Sequence, residues 1–114
     1  KKREILNLIR HTSLCGNKSN TFQSYMSETE SHIRKKFEVW LKLRKAGYQV
    51  WTEVIFNGGI RMDILAFKDG VFTNYEILEN ETLEKFKEKI KNYPPEINTI
   101  PIQTNKEIEN LEML

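Results

Sequence analysis

The chain has 114 residues, 39% hydrophobic and 30% charged, with a formal net charge of +2, which is enough for one globular domain with a modest core and excludes a disordered or fibrous class. No apolar run approaches the roughly 20 residues a membrane-crossing helix needs, and no secretory apolar segment is present. The lone Cys15 excludes an internal disulfide framework and a cysteine-built metal site, and fits a reducing, cytoplasmic compartment.

Ile5, Leu6 and Ile9 recur at helical spacing among Lys1, Lys2, Arg3 and Arg10, predicting a short basic helix over 1–11. Ser, Asn, Gly and Thr crowd 12–24, the composition of a flexible loop. Ser27-Glu28-Thr29-Glu30 has the Ser-x-x-Glu form of a capping box and predicts that the longest helix opens at Ser27. Its apolar positions are Ile33, Phe37, Trp40, Leu41 and Leu43, and Ala46-Gly47 ends it. Residues 48–56 alternate as a strand with Val50, Thr52, Val54 and Phe56 on one side. Both sides are largely apolar, as in a sheet covered on two faces. Asn57-Gly58-Gly59 then turns the chain into a β-hairpin, two apolar-rich runs joined by Asp69-Gly70. Asn80 caps a second helix over 81–92, packed through Leu83, Phe86 and Ile90 and stopped by Tyr93-Pro94-Pro95. A last strand covers 97–103, with Pro101 placing it at an edge or a strand end, and 105–114 reads as a short amphipathic helix. The order ααβββαβα predicts an α/β (α+β) fold. A central mixed sheet of about four strands is flanked by helices, with an N-terminal segment 1–26, a core 27–104 and a C-terminal helix 105–114.

The hairpin holds the most chemically loaded residues. Arg61, Asp63, Leu65 and Phe67 alternate onto one side of the first run, and Phe72, Asn74, Glu76 and Leu78 onto one side of the second. If the registers agree, Asp63 and Glu76 stand side by side, and two such carboxylates repel unless a cation or proton lies between them. Acids in covered strands are rare unless paired or metal-bound, so the pair suits a hard cation, Mg²⁺ or Mn²⁺. Such an ion polarises a phosphate and lowers the pKa of a bound water. The plainer reading is two solvated strand acids. Glu28 and His32 lie four apart on one helical face, with Lys36 a turn further on. Glu28 serves there as a third acid and His32 as a DNA-contacting or water-positioning group, or else Glu28 and Glu30 simply complement the helix dipole. Glu53 is either a further metal ligand or a surface strand acid. Arg61 pairs with Asp63 or contacts a phosphate. Arg34, Lys35 and Lys36 on the long helix, and Lys85 at the head of the later lysine run, suit salt-sensitive phosphate contacts; a solvated helix face has the same composition. Trp40 and Trp51 read as core, and no glycine-rich nucleotide loop is present, so ATP is not implied.

A helix opening with Glu, a strand, a glycine turn, a strand carrying Arg61-Met62-Asp63 and a strand carrying Glu76-Ile77-Leu78 before a further helix together resemble the PD-(D/E)XK nuclease superfamily. The likeness is greatest to small archaeal and archaeal-virus members, Holliday-junction-resolvase-like ones included. It is carried by Ser27-Glu28-Thr29-Glu30-Ser31-His32, Gly47-Tyr48-Gln49-Val50-Trp51-Thr52-Glu53-Val54 and Arg61-Met62-Asp63-Ile64-Leu65-Ala66-Phe67, and it covers about 27–104. It implies a restriction-endonuclease-like core and metal-dependent hydrolysis of phosphodiester bonds, in duplex DNA and in the cytoplasm of a cell or viral host. Asp63 and Glu76 would be the ligands, Glu28 or Glu53 would complete the site, and two copies would pair as a homodimer to cut two strands. The family's lysine position is taken by Leu78, with Lys36, Lys68 and Lys85 as candidates to replace it. That departure keeps open an inactive nuclease-like module that binds DNA. The near-neutral net charge keeps open a protein-interaction domain with no nucleic-acid role.

Overall fold

A computed structural model describes Ile5 and residues 20–24, 26–56 and 59–108. Apart from Ile5, the helix expected over 1–11 lies outside the described residues, as does the stretch 109–114. The elements are α1 (Glu30–Lys45), β1 (Gln49–Ile55), β2 (Arg61–Lys68), β3 (Val71–Leu78), α2 (Leu83–Ile90) and β4 (Ile97–Gln103). They form an α+β fold around one mixed sheet of order β1-β2-β3-β4, in which the first three strands are antiparallel and β4 runs parallel to β3. Among the described residues no helix is long and apolar enough to cross a membrane.

Both helices start two residues later than their sequence signals suggest. α1 is capped by Thr29, whose Oγ1 accepts from His32 N at 3.2 Å and donates to Glu79 Oε2 at 2.7 Å. α2 is capped by Thr82 instead of Asn80, again through the third backbone N–H, that of Lys85. In each case a threonine hydroxyl nearer the helix satisfies an orphan donor, so Ser27 and Asn80 stay outside. The helix expected from Asn105 does not begin there. Thr104 N donates to Leu78 O and Lys106 N to Gln103 O, and 104–108 run on as turn and irregular chain.

The hairpin forms as its turn residues require. Asp69 and Gly70 both adopt positive φ (52° and 81°), the geometry of a tight turn whose twist matches the flanking strands. On the exposed side of β1, Asn20 N donates to Val50 O, Val50 N donates to Asn20 Oδ1, and Gln23 N donates to Thr52 Oγ1. Residues 20–23 therefore cover a strand edge that would otherwise present free backbone groups.

Two apolar layers sandwich the sheet. Val39 and Leu43 of α1 pack on Val50, Ile64, Ala66, Tyr75, Ile77 and Ile102. The opposite face gathers Trp51, Val54, Met62, Leu65, Phe72, Tyr93 and Ile97 around Ile5, with Ile90 of α2 against them. Simple alternation fails at one place. Val54 and Phe56 lie in the layer of Trp51, not that of Val50, and Met62 lies with Leu65, not Ile64. The break falls between the pairs Thr52↔Ile64 and Val54↔Met62, where Glu53 takes a left-handed φ of 55°. The two residues straddled by those pairs are Glu53 and Asp63.

Candidate active site

The β2–β3 register pairs Ile64 with Tyr75 and so brings Asp63 level with Glu76. At that end of the hairpin the side chains take over the backbone's bonds. Asp63 N donates to Glu76 Oε2 at 3.0 Å, and Ile77 N donates to Asp63 Oδ2 at 2.8 Å. Each carboxylate thus clasps the neighbouring strand. Glu76 is buried; its Oε1 accepts from Tyr93 OH at 3.1 Å and lies 3.0 Å from Lys89 Nζ. Tyr93 OH is also 3.1 Å from Arg61 O, which ties the start of β2 to the segment after α2. Burial, then the nearby Asp63 charge, pushes the Glu76 carboxyl up, with Lys89 opposing.

A second group reaches the same strand end from α1 and β1. The Lys36 ammonium, wholly out of contact with solvent, donates to Glu28 Oε1 at 2.7 Å and to Glu53 Oε1. His32 stands between two acids, with Nδ1 2.5 Å from Glu28 Oε2 and Nε2 3.7 Å from Asp63 Oδ2. Asp63 contributes most to raising the His32 imidazolium to about 9, Glu28 adds to it, and partial burial works against it. Burial lifts the Glu53 carboxyl to about 7 despite Lys36 beside it. The left-handed backbone of Glu53 points the same way, since a non-glycine residue holds that conformation inside a strand only where its surroundings enforce it, and such strain gathers at functional sites. Glu53, Lys36, Glu28, His32, Asp63, Glu76 and Lys89 therefore form one continuous run of alternating charge, broken only where Asp63 and Glu76 meet. Four acids face three cations.

Glu28, His32, Glu53, Asp63 and Glu76 are thus assembled at one end of the sheet, although Glu28 precedes α1 and is not part of it. The expected phosphate-contacting residues divide. Lys36 is not on a DNA-facing surface; it is buried as the bridge between two acids. Lys35 retains 11% side-chain exposure and is bound to Glu38 and to Lys106 O, so it braces the chain after β4. Arg34 is exposed and paired with Glu30, Arg61 is exposed at the head of β2, and Lys85 is exposed on α2. Of the residues considered as lysine replacements, only Lys36 bonds site acids; Lys68 donates to Ala46 O beyond the far end of α1. Sequence reasoning placed Lys89 only within the lysine run 85–91, as one of several phosphate contacts, and missed its place beside Glu76 and the role of Tyr93. The available signal was Phe86, the one buried residue of α2, because Lys89 lies three positions on and so shares its sheet-facing side.

Asp63 and Glu76 offer hard oxygen donors whose mutual repulsion a divalent cation would relieve, which fits Mg²⁺ or Mn²⁺. Among the described residues, no group of three or more His, Cys, Asp or Glu side chains is gathered as a metal site, and Glu28 and Glu53 are engaged by Lys36. No protein-family model, curated protein or solved structure matches this chain.

Proposed function

We propose that this protein is a divalent-metal-dependent deoxyribonuclease of the PD-(D/E)XK kind, hydrolysing phosphodiester bonds of duplex DNA in the cytoplasm of a cell or viral host. The observation that carries the reading is the level pairing of Asp63 and Glu76 on adjacent strands, each held by the other strand's backbone N–H. The element sequence α-β-β-β-α-β around a mixed sheet, with the acids on β2 and β3 and Glu28 at the mouth of α1, supports it. Asp63 and Glu76 hold Mg²⁺ or Mn²⁺, which when bound polarises the scissile phosphate and acidifies a coordinated water. His32, cationic at neutral pH, fixes the Asp63 carboxylate from the α1 side. Lys36 bridges Glu28 and Glu53 and, with His32 beside Glu28, offsets their charge, so two further acids reach the site with less repulsion of a polyanion. Lys89, 48% exposed and already beside Glu76, supplies the positive charge that Leu78 lacks at the family's lysine position. A homodimer would suit cutting of both strands.

Leu78 favours one alternative, a module that binds DNA without cutting it, because its buried side chain offers no charge to a reacting phosphate. Incubation of linear duplex DNA with Mg²⁺ separates the two. The nuclease reading expects cutting that EDTA stops and that Asp63→Ala and Glu76→Ala each reduce at least about a hundred-fold, the scale of losing a charge that stabilises the transition state. Undiminished cutting by both variants would place the chemistry elsewhere. Salt-sensitive binding with no cutting by the folded parent would select the alternative.

A further inference from the structure

Beside the charged network lies an aromatic step that the proposed hydrolysis does not use. The Phe22 ring centroid is 5.4 Å from Lys36 Nζ, Phe37 meets Phe22 edge-on at 5.3 Å, and Trp40 stacks on Phe37 at 5.6 Å. Phe22 also contacts Trp40 edge-on, so the three rings form one block between α1 and the 20–24 segment, with Trp40 partly buried against the core and Phe37 outermost. A phenylalanine in a helix of this kind ordinarily turns inward, yet Phe37 is 44% exposed and Leu41, one turn on, is 36% exposed. Exposed cations on the same side are Arg34, Arg44 and Lys45, with Arg44 lying over the Trp40 ring at 5.3 Å and donating to Asn20 O. The acids near them are Glu30, paired with Arg34, and Glu38, paired with Lys35. An apolar ring face bordered by cations attracts a polyanion that carries planar apolar groups. A second copy of the chain would set the same cations against themselves across a two-fold axis.

We propose that Phe37, backed by Phe22 and Trp40, is a stacking platform for unpaired bases of single-stranded DNA, with Arg34, Arg44 and Lys45 contacting its phosphates. Base stacking on exposed rings accepts any sequence, since every base has a π face. Phe22, which backs the platform, lies against Lys36, the buried cation that bridges Glu28 and Glu53. The preferred substrate is therefore duplex DNA with an unpaired flap, end or branch. This substrate preference rests on the nuclease reading; the binding itself does not.

The test is metal-free binding of a fluorescein-labelled oligo-dT and of a blunt hairpin duplex, followed by anisotropy in EDTA, where no cutting occurs. Phe37→Ala is expected to weaken oligo-dT binding about ten-fold or more, to leave duplex binding nearly unchanged, and to abolish quenching of tryptophan emission by oligo-dT. Phe37→Tyr is expected to restore parental binding, which guards against loss of fold as the cause. Equal oligo-dT binding by parent and Phe37→Ala would overturn the proposal, as would equal weakening of both ligands. A parental dimer that Phe37→Ala dissociates, with oligo-dT binding unaltered, would assign the face to self-association and overturn it too. Because Asp63→Ala and Glu76→Ala test the cutting and this experiment tests metal-free binding, failure of the nuclease reading and failure of this platform are separately visible.

Discussion

Lys36 has no contact with water, and both of its bonds end on carboxylates. Removing one member of such a buried set leaves the others uncompensated, which is far costlier than trimming an exposed pair. Lys36→Met is therefore expected to destabilise the fold by about 3–5 kcal/mol in urea unfolding. Arg34→Ala, which breaks an exposed i,i+4 pair with Glu30, should cost no more than about 0.5 kcal/mol. Equal effects would mean that Lys36 is hydrated in solution. The same network sets a pH dependence. His32 rises from its ordinary 6.5 to about 9, so the folded state holds a proton that the unfolded state releases. Its stabilising effect is complete below pH 6.5 and is lost as pH rises towards 9. Glu53, raised from 4.5 to about 7, acts in the same direction over the lower window, complete below 4.5 and lost by about 7. Stability measured in EDTA should thus fall from pH 5 to pH 9, with the upper part of the decline on the order of 2 kcal/mol. His32→Gln should flatten that upper part and leave the lower part in place.

At the scale of the strand, the residue that departs from regular geometry is Glu53. Its φ of 55° is strained for any side chain with a Cβ and free of strain for glycine. Glu53→Ala and Glu53→Gly both remove the carboxylate, so their difference isolates the backbone. The glycine variant should be the more stable by about 1 kcal/mol, the reverse of the usual order inside a strand. This break also marks where reading the sequence stops working. Period-two alternation assigned Val50, Thr52, Val54 and Phe56 to one face, yet a single left-handed residue reverses the faces beyond it, and nothing in the local letters Thr-Glu-Val announces the reversal. The helix starts were displaced for a different reason. Each start offers two polar candidates two residues apart; at α1, Thr29 is favoured because its hydroxyl also reaches Glu79, just past the end of β3. Hairpin register, by contrast, was legible, because Asp69-Gly70 permits a two-residue turn and thereby fixes Asp63 opposite Glu76.

Over the whole molecule, the strand and helix order within 30–103 was legible because each element carries its own periodicity and its own stop signal. Asp63, Glu76 and Glu53 stood out as charges inside apolar strands, and Glu28 by its four-residue spacing from His32. Lys89 and Tyr93 did not, because only the packing of α2 across the sheet carries them to Glu76, and that packing has no short-range signature. Their contribution is measurable. Lys89→Ala should leave the fold within about 1 kcal/mol of the parent, since the lysine is half exposed, while reducing any metal-dependent cutting. Tyr93→Phe removes a hydrogen bond to a buried carboxylate and should cost about 1–3 kcal/mol in urea unfolding.

If Asp63 and Glu76 share a divalent cation, as proposed, electron paramagnetic resonance of added Mn²⁺ will register it, since the free ion loses its signal on binding. One saturable site is expected on the parent, lost in both Asp63→Ala and Glu76→Ala and retained in Arg34→Ala. Saturable binding that survives both carboxylate substitutions, or no saturable binding by the folded parent, would contradict it.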